Sequence, residues 1–233
     1  MRPPLYFRRF DYNRALLPNR WLAEQETGVE DVAAASGRTG KTIGYPGWSA
    51  LYAFLLCHLN PDQDNIIVET GTNVGCSSII LAQALIDAGM KGRVHTIEID
   101  PAIARRAGEN FAAAGVDGVI TQYVGDAKEK LAEILPGAGK LRAAFLDGSH
   151  DEGDVMREFE LIEPHLAPGA LVFFDNTYQI AERGEDPRVN GALRRIKHRY
   201  GGNIINLEFV SWFTPGLAIW QRETFTMGDP ASL

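Results

Sequence analysis

Cysteine is scarce in this 233-residue chain, with Cys57 and Cys76 the only two. One falls on an apolar helical stretch and the other at a helix start, too few and too differently placed for a disulfide framework, so a reducing cytoplasm is the expected compartment. Long apolar runs are missing too. The richest, Leu51 to Leu59, stops at Asn60-Pro61, short of the roughly 18–20 residues that cross a bilayer. Arg2, Arg8 and Arg9 stand where a targeting peptide would begin, but no apolar run with a small-residue cleavage site follows them. These absences predict a soluble protein with no membrane partner. Nor is there a surplus of positive charge. A formal net charge of −7 gives no long-range pull toward phosphate backbones, and nucleic acid is not the expected partner. Internal repeats, low-complexity tracts and an interdomain linker are likewise absent. What is present, 45% hydrophobic and 23% charged residues, is the composition of a globular chain able to bury a core.

Residues 1–47 mix aromatics (Tyr6, Phe7, Phe10, Tyr12, Trp21) with arginines and end among Gly37, Gly40, Gly44 and Gly47. They read as a cap on a main domain spanning 48–233. A homodimer through this aromatic segment is left open. A helix is expected from Trp48 to Leu59, with Leu51, Phe54, Leu55 and His58 at helical spacing and Pro61 as its stop. From there short β-branched runs alternate with longer amphipathic stretches, which predicts βα units and a parallel sheet. Strands are expected at Asn65–Glu69, Arg93–Glu98, Val119–Val124, Ala143–Asp147 and Leu171–Asp175. Helices are expected at Cys76–Ala88, Pro101–Ala114, Ala127–Leu135 and Glu152–Leu166, with Gly89, Gly115, Gly137 and Gly169 as stop signals. A polar connection (Glu182 to Asp186) and a basic helix near Val189–Tyr200 follow. Strands at Ile204–Ser211 and Gly216–Arg222, joined by the short link Trp212–Pro215, predict an antiparallel hairpin at the sheet's edge.

Ligands of open α/β sheets bind beyond the carboxyl ends of the strands, and the first βα loop lies there. That loop is Glu69-Thr70-Gly71-Thr72-Asn73-Val74-Gly75. A dinucleotide-binding turn needs three glycines to admit a pyrophosphate, and here the third is missing. Glu69 would repel a pyrophosphate but suits the ammonium of a methionine moiety. At the tip of the second strand, Glu98 is placed to accept both ribose hydroxyls of a nucleoside. Asp100 precedes Pro101 and is better read as a helix N-cap. Asp126, at the end of the third strand, either borders the nucleobase or caps the next helix.

The ordered segments VETGTNVG (68–75), HTIEIDP (95–101), VGDA (124–127), FLDGSH (145–150) and FFDN (173–176) resemble the class I S-adenosylmethionine-dependent methyltransferases. Within them the resemblance is to the metal-dependent catechol-type and sugar-type O-methyltransferases. It implies a Rossmann-like three-layer α/β sandwich whose seven-stranded, mostly parallel sheet ends in an antiparallel strand. It also implies that S-adenosylmethionine is held by the loop 69–75, including Thr72 and Gly75. Glu69, Gly71 and Asn73 would contact its methionine part with Ser77 nearby, Glu98 its ribose, and Asp126 and Ala127 its adenine, with Asp147 beside it.

Two buried apolar strands end abruptly in Asp147 and in Asp175-Asn176. Side by side in a parallel sheet, these give three hard oxygen ligands suited to Mg²⁺ rather than zinc, and the resemblance assigns a metal to the same positions. An alcohol or phenol is a poor nucleophile until a cation lowers its pKa, and methyl transfer gains further from holding the acceptor in line with the sulfonium. His150 stands where the catechol-type enzymes carry a basic lysine, and a near-neutral imidazole can take the acceptor's proton. Ser149 and Asp151 are close enough in sequence to replace it. The expected reaction is methyl transfer to a hydroxyl of a small molecule. The alternatives are a nicotinamide-dependent oxidoreductase and a non-methylating relative of the hydroxylase type. The acceptor is expected to touch residues 1–47 and the segment after Asn176, including Tyr178.

Overall fold

The computed structural model describes residues 18–25, 38, 47–177, 187–207 and 216–222. Expectations placed on most of the 1–47 segment, on Tyr178, on the 182–186 connection and on the 212–215 link lie outside the described residues. Within them one sheet is built from β1 (Asn65–Thr70), β2 (Gly92–Glu98), β3 (Ile120–Val124), β4 (Leu141–Leu146), β5 (Leu166–Asp175), β6 (Asn203–Leu207) and β7 (Leu217–Gln221). The spatial order is β3-β2-β1-β4-β5-β7-β6. The first five strands run parallel. β7 lies antiparallel to both β5 and β6, so the later of the two C-terminal strands is inserted and the earlier one takes the edge.

Side chains alternate across a strand, and the two faces of this sheet meet different helices. One face presents Ile67, Val94, Ala143, Phe145 and Phe173 to a cluster that includes Leu22, Trp48, Leu51, Ile79 and Phe111. Those residues lie on α1 (Arg20–Gln25), α2 (Gly47–His58), α3 (Cys76–Asp87) and α4 (Pro101–Ala114). The other face presents Val68, Ile97, Ala144, Val172, Phe174 and Trp220 to α5 (Ala127–Ala138), α6 (Glu152–Ile162) and α7 (Arg188–Tyr200). The result is the helix–sheet–helix sandwich. Among the described residues no helix is long and apolar enough to cross a membrane.

Local chemistry sets the helix ends. Asp100 caps α4 by accepting from the amides of Ala102 (2.7 Å) and Ile103 (3.2 Å), Pro101 takes the first turn, and Gly115 closes it at φ 71°. Two ends depart from the sequence reading. α5 continues through Pro136 and Gly137 to Ala138, because a proline in the last turn forfeits a single hydrogen bond that the buried Leu131 and Leu135 outweigh. α6 stops at Ile162, four residues early, and Glu163–His165 forms one 3-10 turn, since Pro164 has no amide to continue the helix. Gly169, expected as a helix stop, instead lies inside β5 at φ 71°. The β4–β5 register shifts there between Leu141 and Ala143. Cys57, expected on an apolar face, is exposed, whereas Cys76 is buried.

β1 and β4 are neighbours at the centre of the sheet although two βα units separate them in sequence, so the chain leaves the centre in opposite directions from here. The loops after these two strands face each other. Their closeness depends on Gly71, at φ 81°, where an added Cβ would lie 2.1 Å from the Asp147 carbonyl oxygen.

Candidate active site

At that switch point a cavity of about 720 Å³ opens across the carboxyl ends of β1 to β5. Its β1–β3 side is lined by Gly71, Asn73, Glu98, Asp126 and Ala127. Glu98 is fixed from two sides: its Oε2 accepts from the Asn73 amide at 2.7 Å and its Oε1 from the Asp100 amide at 3.0 Å. Ile97, Ile99 and Ile103 stand next to it, and Ile99 is 69% exposed. An apolar wall beside a fixed carboxylate suits a nucleoside, with the flat base on the isoleucines and the sugar hydroxyls on Glu98. Asp126 caps α5, its Oδ1 accepting from the Lys128 (2.9 Å) and Glu129 (3.3 Å) amides, and it also lines the cavity.

The rest of the loop lies behind this surface. Thr72 bonds Thr96 through their hydroxyls at 2.5 Å. Gly75, at φ 92°, starts α3 where a side chain would strike the Phe111 ring. Glu69 is fully buried, with Oε2 held by Thr96 Oγ1 at 2.6 Å and by Ser78 Oγ, while its Oε1 is buried without a hydrogen-bond partner. Burial pushes the Glu69 carboxyl up to about 7, against the hydrogen bonds from Ser78 and Thr96 that favour its charged form. Thus Gly71 and Asn73 reach the cavity, while Thr72, Gly75, Ser77 and Glu69 support it from beneath.

The β4–β5 side carries Asp147, His150 and Asn176, with Asp175 buried just behind. Asp147 and Asp175 are within hydrogen-bond reach of each other, and burial drives both carboxyls well above the ordinary range, each raised further by negative charge nearby. Asn176 Nδ2 lies 3.0 Å from Asp175 Oδ2 and 2.9 Å from His150 Nε2. His150 Nε2 is also 3.5 Å from Asp147 Oδ1. Burial pushes the imidazole below its usual value, against the negative charge of Asp175 that favours its charged form, and Nε2 faces the Asn176 amide. Among the described residues no three His, Cys, Asp or Glu side chains form a metal-binding group; the set that converges is two carboxylates, a carboxamide and an imidazole. Asp175 Oδ1 is buried with no hydrogen-bond partner. Two adjacent buried carboxylates with an orphaned oxygen suit a hard divalent cation, which would neutralise both. The alternative bases are engaged elsewhere: Ser149 Oγ donates to Asp154 Oδ2 at 3.0 Å, and Asp151 stands 4.0 Å from Arg188.

The sequence reading missed one buried acid. Glu158 lines the cavity from α6, is 1% exposed and accepts from Thr70 Oγ1 at 2.7 Å. Burial lifts it to about 7. Its signal was a lone acid on the apolar stripe of Val155, Phe159 and Ile162. Lys128 was missed as well; it joins Asp154 at 3.1 Å and Asp126 at 3.4 Å across the cavity's edge.

The strand order, with five parallel strands, β7 antiparallel near one edge and helices on both faces, makes this a Rossmann-like three-layer α/β sandwich. Residues 68–177, a little under half of the chain, match the family model described as methyltransferase domain. It is 32% identical over 146 residues to a catechol O-methyltransferase of Niastella koreensis, an alignment covering 60% of this chain and 63% of that one. The chain thus spans under two thirds of that relative's length. Among solved structures it resembles an O-methyltransferase from Bacillus cereus in complex with SAH (TM-score 0.70, 22% identity, 87% of this chain and 90% of that one). It also resembles the O-methyltransferase TomG from Streptomyces achromogenes in complex with SAM (TM-score 0.69, 23% identity, 88% and 90%). At these identities the structural likeness speaks to the fold.

Proposed function

We propose that this chain transfers a methyl group from S-adenosylmethionine to a hydroxyl oxygen of a small molecule, with a divalent cation held by Asp147, Asp175 and Asn176. The observation that carries the reading is that one cavity joins Glu98 at one end to Asp147, His150 and Asn176 at the other. The likeness to a catechol O-methyltransferase supports the oxygen acceptor. In this reading Glu98 takes the ribose hydroxyls, and the loop residues Gly71 and Asn73 take the methionine end. Glu69 acts from beneath the loop as a charge that favours the cofactor's ammonium and sulfonium. Bound by the three ligands, Mg²⁺ would lower the pKa of the acceptor hydroxyl and fix its direction.

His150 receives the acceptor's proton at Nε2. That nitrogen faces Asn176 in the present arrangement, so the acceptor hydroxyl must replace the amide there. The acceptor oxygen then attacks the methyl carbon in line with the sulfur: the new C–O bond forms as the C–S bond breaks, and a neutral thioether leaves. The protein's contribution is mainly positioning. The acceptor's outer contacts are assigned to residues 1–47 and to the segment after Asn176, including Tyr178.

Calorimetric titrations with S-adenosylmethionine and NAD(H), followed by assays on catechol and sugar acceptors with Mg²⁺ or EDTA, test the proposal. Binding of S-adenosylmethionine without NAD(H), and methylation lost in EDTA, are the expected results. Tight NAD(H) binding alone would replace this reading with an oxidoreductase, and full activity in EDTA would remove the metal.

A further inference from the structure

We infer that Asn206 on the edge strand and Asn190 on α7, acting through Thr177, are positioning residues for Asn176. The inference rests on the metal site proposed above. Asn176 is one of three described non-glycine residues with positive φ, at 57°. A left-handed residue just past a strand persists only where its surroundings over-determine it. The β5 ladder cannot do this, since its pairing with β7 ends at Asp175, opposite Leu217.

The restraint comes from Thr177, which is 1% exposed. Its carbonyl accepts from Asn190 Nδ2, and its Oγ1 donates to Asn206 Oδ1 at 2.6 Å. Asn206 Nδ2 reaches Asn190 Oδ1 at 3.5 Å and closes the ring. Side chains from α7 and β6 therefore grip the residue that follows Asn176. On the other side, the Asn176 carboxamide is oriented by Asp175 and His150. Neither Asn190 nor Asn206 lines the cavity; both border a separate surface groove of about 510 Å³ with Leu193 and Ile204. They touch no reacting group, so any effect they have on the site passes through Asn176. β6 is already joined to the sheet by its ladder with β7, so the clasp is not what keeps the edge strand in place.

The test measures Mn²⁺ binding by calorimetry or electron paramagnetic resonance on the full chain, with S-adenosylhomocysteine affinity and the melting temperature recorded for each variant. Wild type is expected to bind Mn²⁺ saturably and Asn176→Ala to lose it. Asn206→Ala and Thr177→Val are expected to weaken Mn²⁺ by about 10- to 100-fold, as loss of a partner that orients a ligand does, with S-adenosylhomocysteine affinity within about twofold. Asn206→Asp keeps an acceptor for Thr177 Oγ1 and should recover most of the loss, which a merely structural role would not predict. Asn206 is exposed, so its two variants carry the test if Thr177→Val does not fold. Wild-type Mn²⁺ affinity in Asn206→Ala, no recovery in Asn206→Asp, or parallel loss of S-adenosylhomocysteine binding would each overturn the inference. Failure of wild type itself to bind Mn²⁺ would sink the metal reading and this inference with it, and that result is seen before any variant is made.

Discussion

Burial holds the Glu69 carboxyl at about 7, above the ordinary 4.5, and its Oε1 has no partner. A raised folded-state pKa means that the proton's contribution to stability is fully present below about pH 4.5 and is lost as pH rises to about 7. The free-energy difference across that window is on the order of 3 kcal/mol. Glu69→Gln removes the titration, so its melting temperature should gain on wild type between pH 5 and pH 8, by up to about 10 °C for a chain of this size. A difference that stays flat with pH would show that Glu69 is not protonated in the folded protein. At Glu98 the expected effect is on binding. A hydrogen bond to a charged group contributes about 1.5–3 kcal/mol, so Glu98→Gln should weaken S-adenosylmethionine by roughly 10- to 100-fold in a calorimetric titration. Unchanged affinity would take Glu98 out of the cofactor site.

The loops after β1 and β4 form the site only because their backbones nearly touch. Gly71→Ala would set a Cβ 2.1 Å from the Asp147 carbonyl at a positive φ, and neither backbone has room to yield. The left-handed conformation and the overpacking each cost about 1–3 kcal/mol, so thermal melting should show a loss of roughly 3 kcal/mol or more. Asp100→Ala, which removes only a cap, should cost about 1 kcal/mol and leave cofactor affinity within a few-fold; equal losses for the two variants would refute this account of the loop. Elements differed in how legible they were. Pro101, Asp100 and Gly115 marked both ends of α4 because capping is local chemistry. Pro136 and Pro164 looked alike in sequence, yet α5 runs through the first and α6 stops before the second. In α5 the buried Leu131 and Leu135 hold the last turn against the sheet, and that packing is not visible in a window of ten residues.

Across the whole molecule, cofactor, metal and stability are linked. Burial pushes Asp147 and Asp175 upward, with the charges of Glu69 and Glu158 adding to it at Asp147 and that of Asp147 at Asp175, so a metal that needs both ionised must displace a proton. Millimolar Mg²⁺ should therefore raise the melting temperature more at pH 8 than at pH 6, and Asp147→Asn should abolish the increment. A shift that is the same at both pH values would argue that the cation binds elsewhere. The sequence alone determined the βα order, the strand-end acids and the loop with too few glycines, because each follows from local periodicity, turn chemistry or charge at a strand tip. Only the tertiary structure decided that β7 is inserted beside β5 and that Glu69 lies beneath the loop while Glu98 faces the cavity. Only it brought Glu158 from the stripe of α6 to the cavity floor, and joined Asn206 to the end of β5. These placements depend on which strands are neighbours and which face a helix covers, and residues far apart in the chain become partners only when the sheet closes around them.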